Sequence, residues 1–298
     1  MNNFFQKSVI VTGASSGIGK SIAVYLAKQG YTVLATVRKN NDMEALNNYG
    51  LNNLKPLCPL DLTMQEHIQT IADVVKKQIR SGAIPPLYAI INVAGGGQIA
   101  PIELMNISDF RIELEKRLVG PLSLLQELIP LLRHTKGRVL WISTPGLLPI
   151  PYVADIHAPD FAVNYLARTL NVELRPDGIK NILIRCGGID TPSPERTEAH
   201  LATMFTVWPK DRLAIYADRL INMLKEMKSF NAKRTNPEKV AITVSKTLSV
   251  KHPKVRYQVG YMSKAGALCE KLPQSWIDSI FRIRESSNFR TNSILKRE

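Results

Sequence analysis

Near the start of the chain an aliphatic run breaks into three closely spaced glycines, Val9-Ile10-Val11-Thr12-Gly13-Ala14-Ser15-Ser16-Gly17-Ile18-Gly19-Lys20. The aliphatic half reads as a buried strand, and the residues from Gly17 onward follow helical spacing. Glycines at such a turn let the backbone approach a ligand closely. The first turn of the helix adds unpaired N–H groups and the positive end of its dipole. This junction predicts a site for a pyrophosphate, supported by both the strand before it and the amphipathic helix after it.

The pattern continues along the chain. Short aliphatic runs at 8–12, 32–37, 54–58, 87–92, 138–143 and 182–185 alternate with helical patterns at 17–28, 66–80, 108–132 and 161–174. Such alternation describes repeated βαβ units, and strands apolar on both faces need helices on both sides of the sheet. Helical patterns follow at 195–205, 209–228 and 237–250, then a last strand near 255–260 and helical character over 261–285. The expectation is an α/β fold, a doubly wound parallel sheet of about seven strands. It comprises one domain over 1–285, a helical insertion at about 191–232 over the substrate side, and a polar basic tail at 286–298.

At 298 residues with 45% apolar content the chain can build a packed core. The longest apolar stretch, 118–132, is interrupted by Gly120, Pro121, Gln126, Glu127 and Pro130, too polar to cross a bilayer. The first residues lack a secretory pattern. Cys58, Cys186 and Cys269 form no CxxC pair, which argues for buried thiols over a disulfide framework or metal site. A soluble, cytoplasmic protein is expected. The net charge of +14 is concentrated late, with nineteen Lys and Arg against eight Asp and Glu over 201–298. That third is either a solvated face or a surface for an anionic partner; no nucleic-acid signature accompanies it, and neither nucleic acid nor membrane is the favoured partner.

Together, several segments resemble the short-chain dehydrogenase/reductase family over about residues 6–262. The glycine turn resembles its TGxxxGxG motif, with Gly13, Ser15, Ser16, Gly17, Ile18 and Gly19 as cofactor contacts. Asp61-Leu62 resembles its acidic adenine-side segment, and Asn92-Val93-Ala94-Gly95 its NNAG segment. Cys186-Gly187-Gly188-Ile189-Asp190-Thr191-Pro192 resembles its PG motif; here Gly187, Ile189 and Thr191 would meet the nicotinamide half. The resemblance implies a Rossmann-type fold and a nicotinamide cofactor. Arg38 and Lys39, with no acid at the end of the second strand, favour a 2′-phosphate and hence NADP(H).

The family's catalytic Ser, Tyr and Lys are the point of departure. Counting back from Gly187, and independently from Val172-Glu173-Leu174, both place the Tyr at Ile156 and the Lys at Asp160. The Ser position falls at Thr144, and the family's helix Asn at Arg117. Arg117 and Asp160 are expected to form a partly buried ion pair, because a lone carboxylate there would be costly. His157 is the substitute acid or base, flanked by Asp155 and Tyr152, and Pro159 places the start of its helix nearby, leaving 152–158 as a reshaped loop. Tyr165 and Tyr257 are assigned to packing. The resemblance implies an oxidoreductase acting on a small-molecule carbonyl, alcohol or enone, and Met204, Phe205, Trp208 and Tyr216 favour an apolar one. It also implies a homodimer or homotetramer through the two long helices. A cofactor-binding pseudoenzyme or sensor, and a non-redox lyase or cyclase, are the alternatives.

Overall fold

The computed structural model describes residues 6–93, 95–145 and 148–283; Ala94 and the 286–298 tail lie outside the described residues. Seven parallel strands lie in the order β3-β2-β1-β4-β5-β6-β7. They are β1 (Ser8–Val11), β2 (Thr32–Thr36), β3 (Leu54–Leu57), β4 (Leu87–Asn92), β5 (Arg138–Ser143), β6 (Lys180–Cys186) and β7 (Arg256–Val259). Every residue of β1, β2 and β4 is buried, which a parallel sheet covered on both faces requires.

Strand alternation sorts the apolar side chains into two cores. Val9, Val11, Val33, Ala35, Ala89 and Ile91 face one way, toward α1 (Gly17–Lys28) and α9 (Glu238–Ser249). Ile10, Leu34, Ile90, Val139 and Trp141 face the other, toward α3 (Gln65–Arg80), α5 (Gly120–Thr135) and α6 (Ala154–Glu173). A third cluster joins Ile99, Leu104 and Tyr152 to α7 (Ser193–Val207) and α8 (Lys210–Asn231), the helices of the 191–232 insertion. Trp208 and Leu220 are buried there, so packing, rather than ligand, claims these two side chains.

Three local features differ from expectation. α2 (Asn40–Asn47) forms from an Asn-rich stretch of poor helix propensity, with only Leu46 buried. The 108–132 pattern is α4 (Ile107–Leu114) running through a π-helical turn, Glu115–Val119, into α5. Of the expected loop over 152–158 only 152–153 stay outside helix; 154–158 form the first turn of α6, which begins at Ala154 and carries Pro159 in its interior. Proline's missing N–H breaks only one bond of a twenty-residue helix. The 261–285 pattern divides into α10 (Ser263–Cys269) and a further helix over 274–283. Tyr257 packs against the first core, whereas Tyr165 is 69% exposed, against the packing role expected of it.

Candidate active site

The strand order reverses between β1 and β4, and the loops leaving the carboxyl ends of β1, β4, β5 and β6 lie on that side. Such a switch point is where open α/β sheets hold ligands. On one side is the glycine turn. Gly13 (φ 63) and Gly17 (φ 53) adopt left-handed backbone. A Cβ on Gly19 would lie 2.1 Å from the Gly13 carbonyl oxygen, so only glycine lets α1 start this close to β1. Ser16 occupies the N-cap position of α1 without a side-chain bond to the helix, Ile18 packs on the first core, and no acid occupies the first turn, leaving its N–H groups to an anion.

Other expected cofactor residues surround this turn. The Thr191 side chain stands across the helix start, its Cγ2 3.0 Å from where a Gly17 Cβ would be. Arg38 and Lys39 are exposed at the end of β2, while Ser15 is exposed in the turn. Asp61 is acidified: burial raises its pKa, but hydrogen bonds from the Thr63 N–H and hydroxyl and the charges of Arg38 and Lys116 outweigh it and lower it. Leu62 belongs to the core, so only its backbone is available to a ligand; Ile189 is buried, and Gly187 is pressed against the Tyr261 carbonyl. Asn92, 5% exposed at the crevice floor, has both amide atoms without a partner among the described residues.

The opposite side is a charged network. Arg117, on the π turn, donates from Nη1 to Asp160 Oδ1 at 3.0 Å and from Nε to Glu113 Oε2 at 3.4 Å. Its Nη2 donates to the Gly96 carbonyl. Asp160 Oδ2 accepts from the Thr144 N–H at 2.9 Å and the Thr144 hydroxyl at 2.8 Å. The expected ion pair is therefore present and linked to the surviving hydroxyl. π turns recur at functional sites because the extra residue re-aims a side chain, here Arg117. Consecutive glycines make room for these groups. A Cβ on Gly95 would meet the Arg117 guanidinium at 2.9 Å, one on Gly96 the Glu113 carboxylate at 3.4 Å, and one on Gly97 the Ile156 side chain at 2.0 Å.

His157 adjoins this network on α6. Burial drives its pKa below the usual imidazole value, Asp160 opposing and Arg117 reinforcing the shift, and its Nδ1 has no partner among the described residues. Asp155, 3% exposed, accepts the Gln98 N–H on Oδ2 at 2.6 Å and pins the glycine loop to α6. Burial raises its pKa to about 6 against the pull of that bond, with Glu113 adding to the rise.

A model of the short chain dehydrogenase family matches residues 7–202, about two thirds of the chain. This protein belongs to the short-chain dehydrogenase family. It is 26% identical over 280 residues to 3-amino-tetrahydro-pyrrolizinone reductase of Xenorhabdus hominickii, covering 92% of this chain and 95% of that one. It is 29% identical over 268 residues to human 11-beta-hydroxysteroid dehydrogenase type 2, covering 85% of this chain and 64% of that protein. A short-chain dehydrogenase from Streptomyces avermitilis shares the fold with a TM-score of 0.72 at 22% identity, over 98% and 99% of the two chains. A metagenomic short-chain oxidoreductase solved with NADP gives 0.63 at 19% identity, over 85% and 96%.

A nicotinamide dinucleotide is the cofactor of this family, and this chain's own residues fit one. The glycine turn is a cradle that a single Cβ would fill, and the unpartnered Asn92 amide offers both a donor and an acceptor beneath it. Sequence reasoning did not assign Glu113, and named Asp155 only as a neighbour of His157. Glu113 could have been read from its place four residues before Arg117 on one helix face. Asp155 carried no such signal, because its partner, the Gln98 backbone, lies 57 residues away.

Proposed function

We propose that this chain is an NADP(H)-dependent oxidoreductase acting on a carbonyl, alcohol or enone, with Ile156 and Asp160 standing where the family carries Tyr and Lys. The observation that carries this reading is the open glycine turn with two exposed cations, Arg38 and Lys39, at the end of β2. The first acid after that strand is Asp42, inside α2, so the strand end suits a 2′-phosphate better than a bare ribose. When bound, the nicotinamide supplies or accepts the hydride.

The protein's residues handle orientation and the proton. Arg117 restores a cation to the site on the opposite helix, and Asp160 fixes it. Thr144 donates its hydroxyl proton to Asp160 and keeps its oxygen as an acceptor for a substrate hydroxyl. His157 is the proton-transfer group, held neutral near pH 7 by burial. Half-buried Met204 and Phe205 support an apolar substrate. Exposed Phe161, Tyr165 and Val172 on α6 and Ile112 on α4 support a homodimer or homotetramer through these helices. A second reading, a cofactor-binding pseudoenzyme, is favoured by the aliphatic Ile156 pressed against Gly97.

NADP⁺ reduction with a panel of primary and secondary alcohols, and NADPH oxidation with aldehydes, ketones and enones, separates the two. With a lowered pKa, His157 stays an unprotonated base below the usual value, so alcohol oxidation is expected to hold down to about pH 6.5 and fail only on the acid side. His157→Gln should reduce kcat by about 10²–10⁴ with nucleotide affinity unchanged. Nucleotide binding without turnover of any panel member would favour the pseudoenzyme.

A further inference from the structure

The C-terminal helices carry a strip of large apolar side chains that the described residues leave exposed. Leu268, Leu272, Trp276, Ile280 and Ile283 are 64%, 40%, 63%, 58% and 68% exposed. Trp276, Ile280 and Ile283 follow i, i+4, i+7 spacing, one face of the helix over 274–283. An adjacent side of the same helix turns inward at buried Ile277. α10 is fixed too: Arg185 forms a buried ion pair with Glu270, and the Ser263 hydroxyl donates to the Arg185 carbonyl at 2.7 Å. The strip is therefore a rigid surface.

Its surroundings are cationic. Lys264, Lys271 and Arg282 are exposed beside it, against exposed Asp278, since Glu270 is consumed by Arg185. The fifteen residues that follow add four Lys and Arg against two Glu. An apolar face with an aromatic residue and flanking cations is the composition of a helix that lies in the plane of a bilayer interface. Such a helix needs no bilayer-spanning length, and none of the described helices is long and apolar enough to cross a membrane. The cationic rim disfavours a second copy as the occupant, because two such faces brought together would repel, and favours an anionic surface.

We propose that residues 268–283 form an interfacial element that lays Leu268, Leu272, Trp276, Ile280 and Ile283 into the headgroup region of an anionic lipid bilayer. α10, from which the element continues, lies beside the residues that follow Thr144. A Cβ on Gly266 of α10 would lie 3.2 Å from Pro145, the residue after Thr144, and 3.6 Å from Leu148. Seating on lipid would place Pro145 and Leu148 near the surface from which an apolar substrate could enter.

The test uses the full chain with vesicles of phosphatidylcholine, alone or with about 30% phosphatidylserine. Of the three tryptophans, Trp141 and Trp208 are buried, so a shift in emission reports Trp276. The expected result is cosedimentation with the serine-containing vesicles, weakened by salt, and a blue shift of Trp276 emission. Trp276→Glu with Ile280→Glu should weaken binding by about 100-fold or more, and Lys264→Glu with Lys271→Glu by about tenfold or more, with thermal unfolding unchanged. If a variant fails to fold, the wild-type emission shift and its dependence on phosphatidylserine decide the question. Absence of wild-type binding, or equal binding by the Trp276→Glu/Ile280→Glu variant, overturns the proposal. Concentration-dependent self-association lost in that variant, without vesicle binding, would assign the strip to a second copy instead.

Discussion

Replacing Arg117 by alanine should lower folding stability by about 3–5 kcal/mol, read from urea unfolding. The Asp160 side chain is only 3% exposed and that of Glu113 7%, and Arg117 neutralises both. Its removal leaves Asp160 with two bonds from Thr144 and Glu113 with Lys116 and the Gly96 N–H, none of which replaces the lost guanidinium. Arg117→Lys should recover part of the loss, because an ammonium keeps the charge but not the fork that spans Asp160 and the Gly96 carbonyl. The double change Arg117→Met with Asp160→Leu should be milder than Arg117→Ala, since no buried charge is then left bare at position 160. An Arg117→Ala protein as stable as wild type would mean the pair is solvated and contributes nothing.

Gly19→Ala should reduce affinity for the nicotinamide dinucleotide by about 100-fold or more. The new Cβ would sit 2.1 Å from the Gly13 carbonyl oxygen, a backbone atom, so α1 must move away from the turn whose N–H groups form the anion site. Overpacking of this kind also costs about 1–3 kcal/mol of stability. Gly50→Ala is the control. Gly50 too has a left-handed backbone, at φ +65, but a Cβ there meets nothing within 4 Å. It should lose some stability and keep full nucleotide affinity. Equal affinity for the Gly19→Ala protein, by nucleotide fluorescence titration, would place the dinucleotide elsewhere.

The sheet and the glycine turn were legible in the sequence because their determinants are local. Two-sided aliphatic runs mark buried parallel strands, and Gly13, Gly17 and Gly19 mark a turn within one βα unit. The Arg117–Asp160 contact spans 43 residues, yet it could be inferred because two substitutions of opposite sign fall at positions the family fold makes neighbours. The rest of the site was hidden for a physical reason. Glu113, Asp155 and the Gly96–Gly97 backbone act through contacts that periodicity does not encode, and Pro159 misplaced the start of α6 because tertiary packing tolerates one missing hydrogen bond. Likewise, the helical pattern over 261–285 was visible, but which of its faces is left bare depends on what Ile277 and Glu270 hold it to.

Titration of the wild-type protein with NADPH and with NADH, alongside Arg38→Ala, tests the cofactor assignment on which the functional reading stands. Tight NADPH binding is expected, preferred over NADH, with the preference reduced about tenfold or more in Arg38→Ala as a charge-assisted contact to the 2′-phosphate is lost. Failure of the wild type to bind either nucleotide would contradict the account and leave a repurposed scaffold whose ligand is not a nicotinamide.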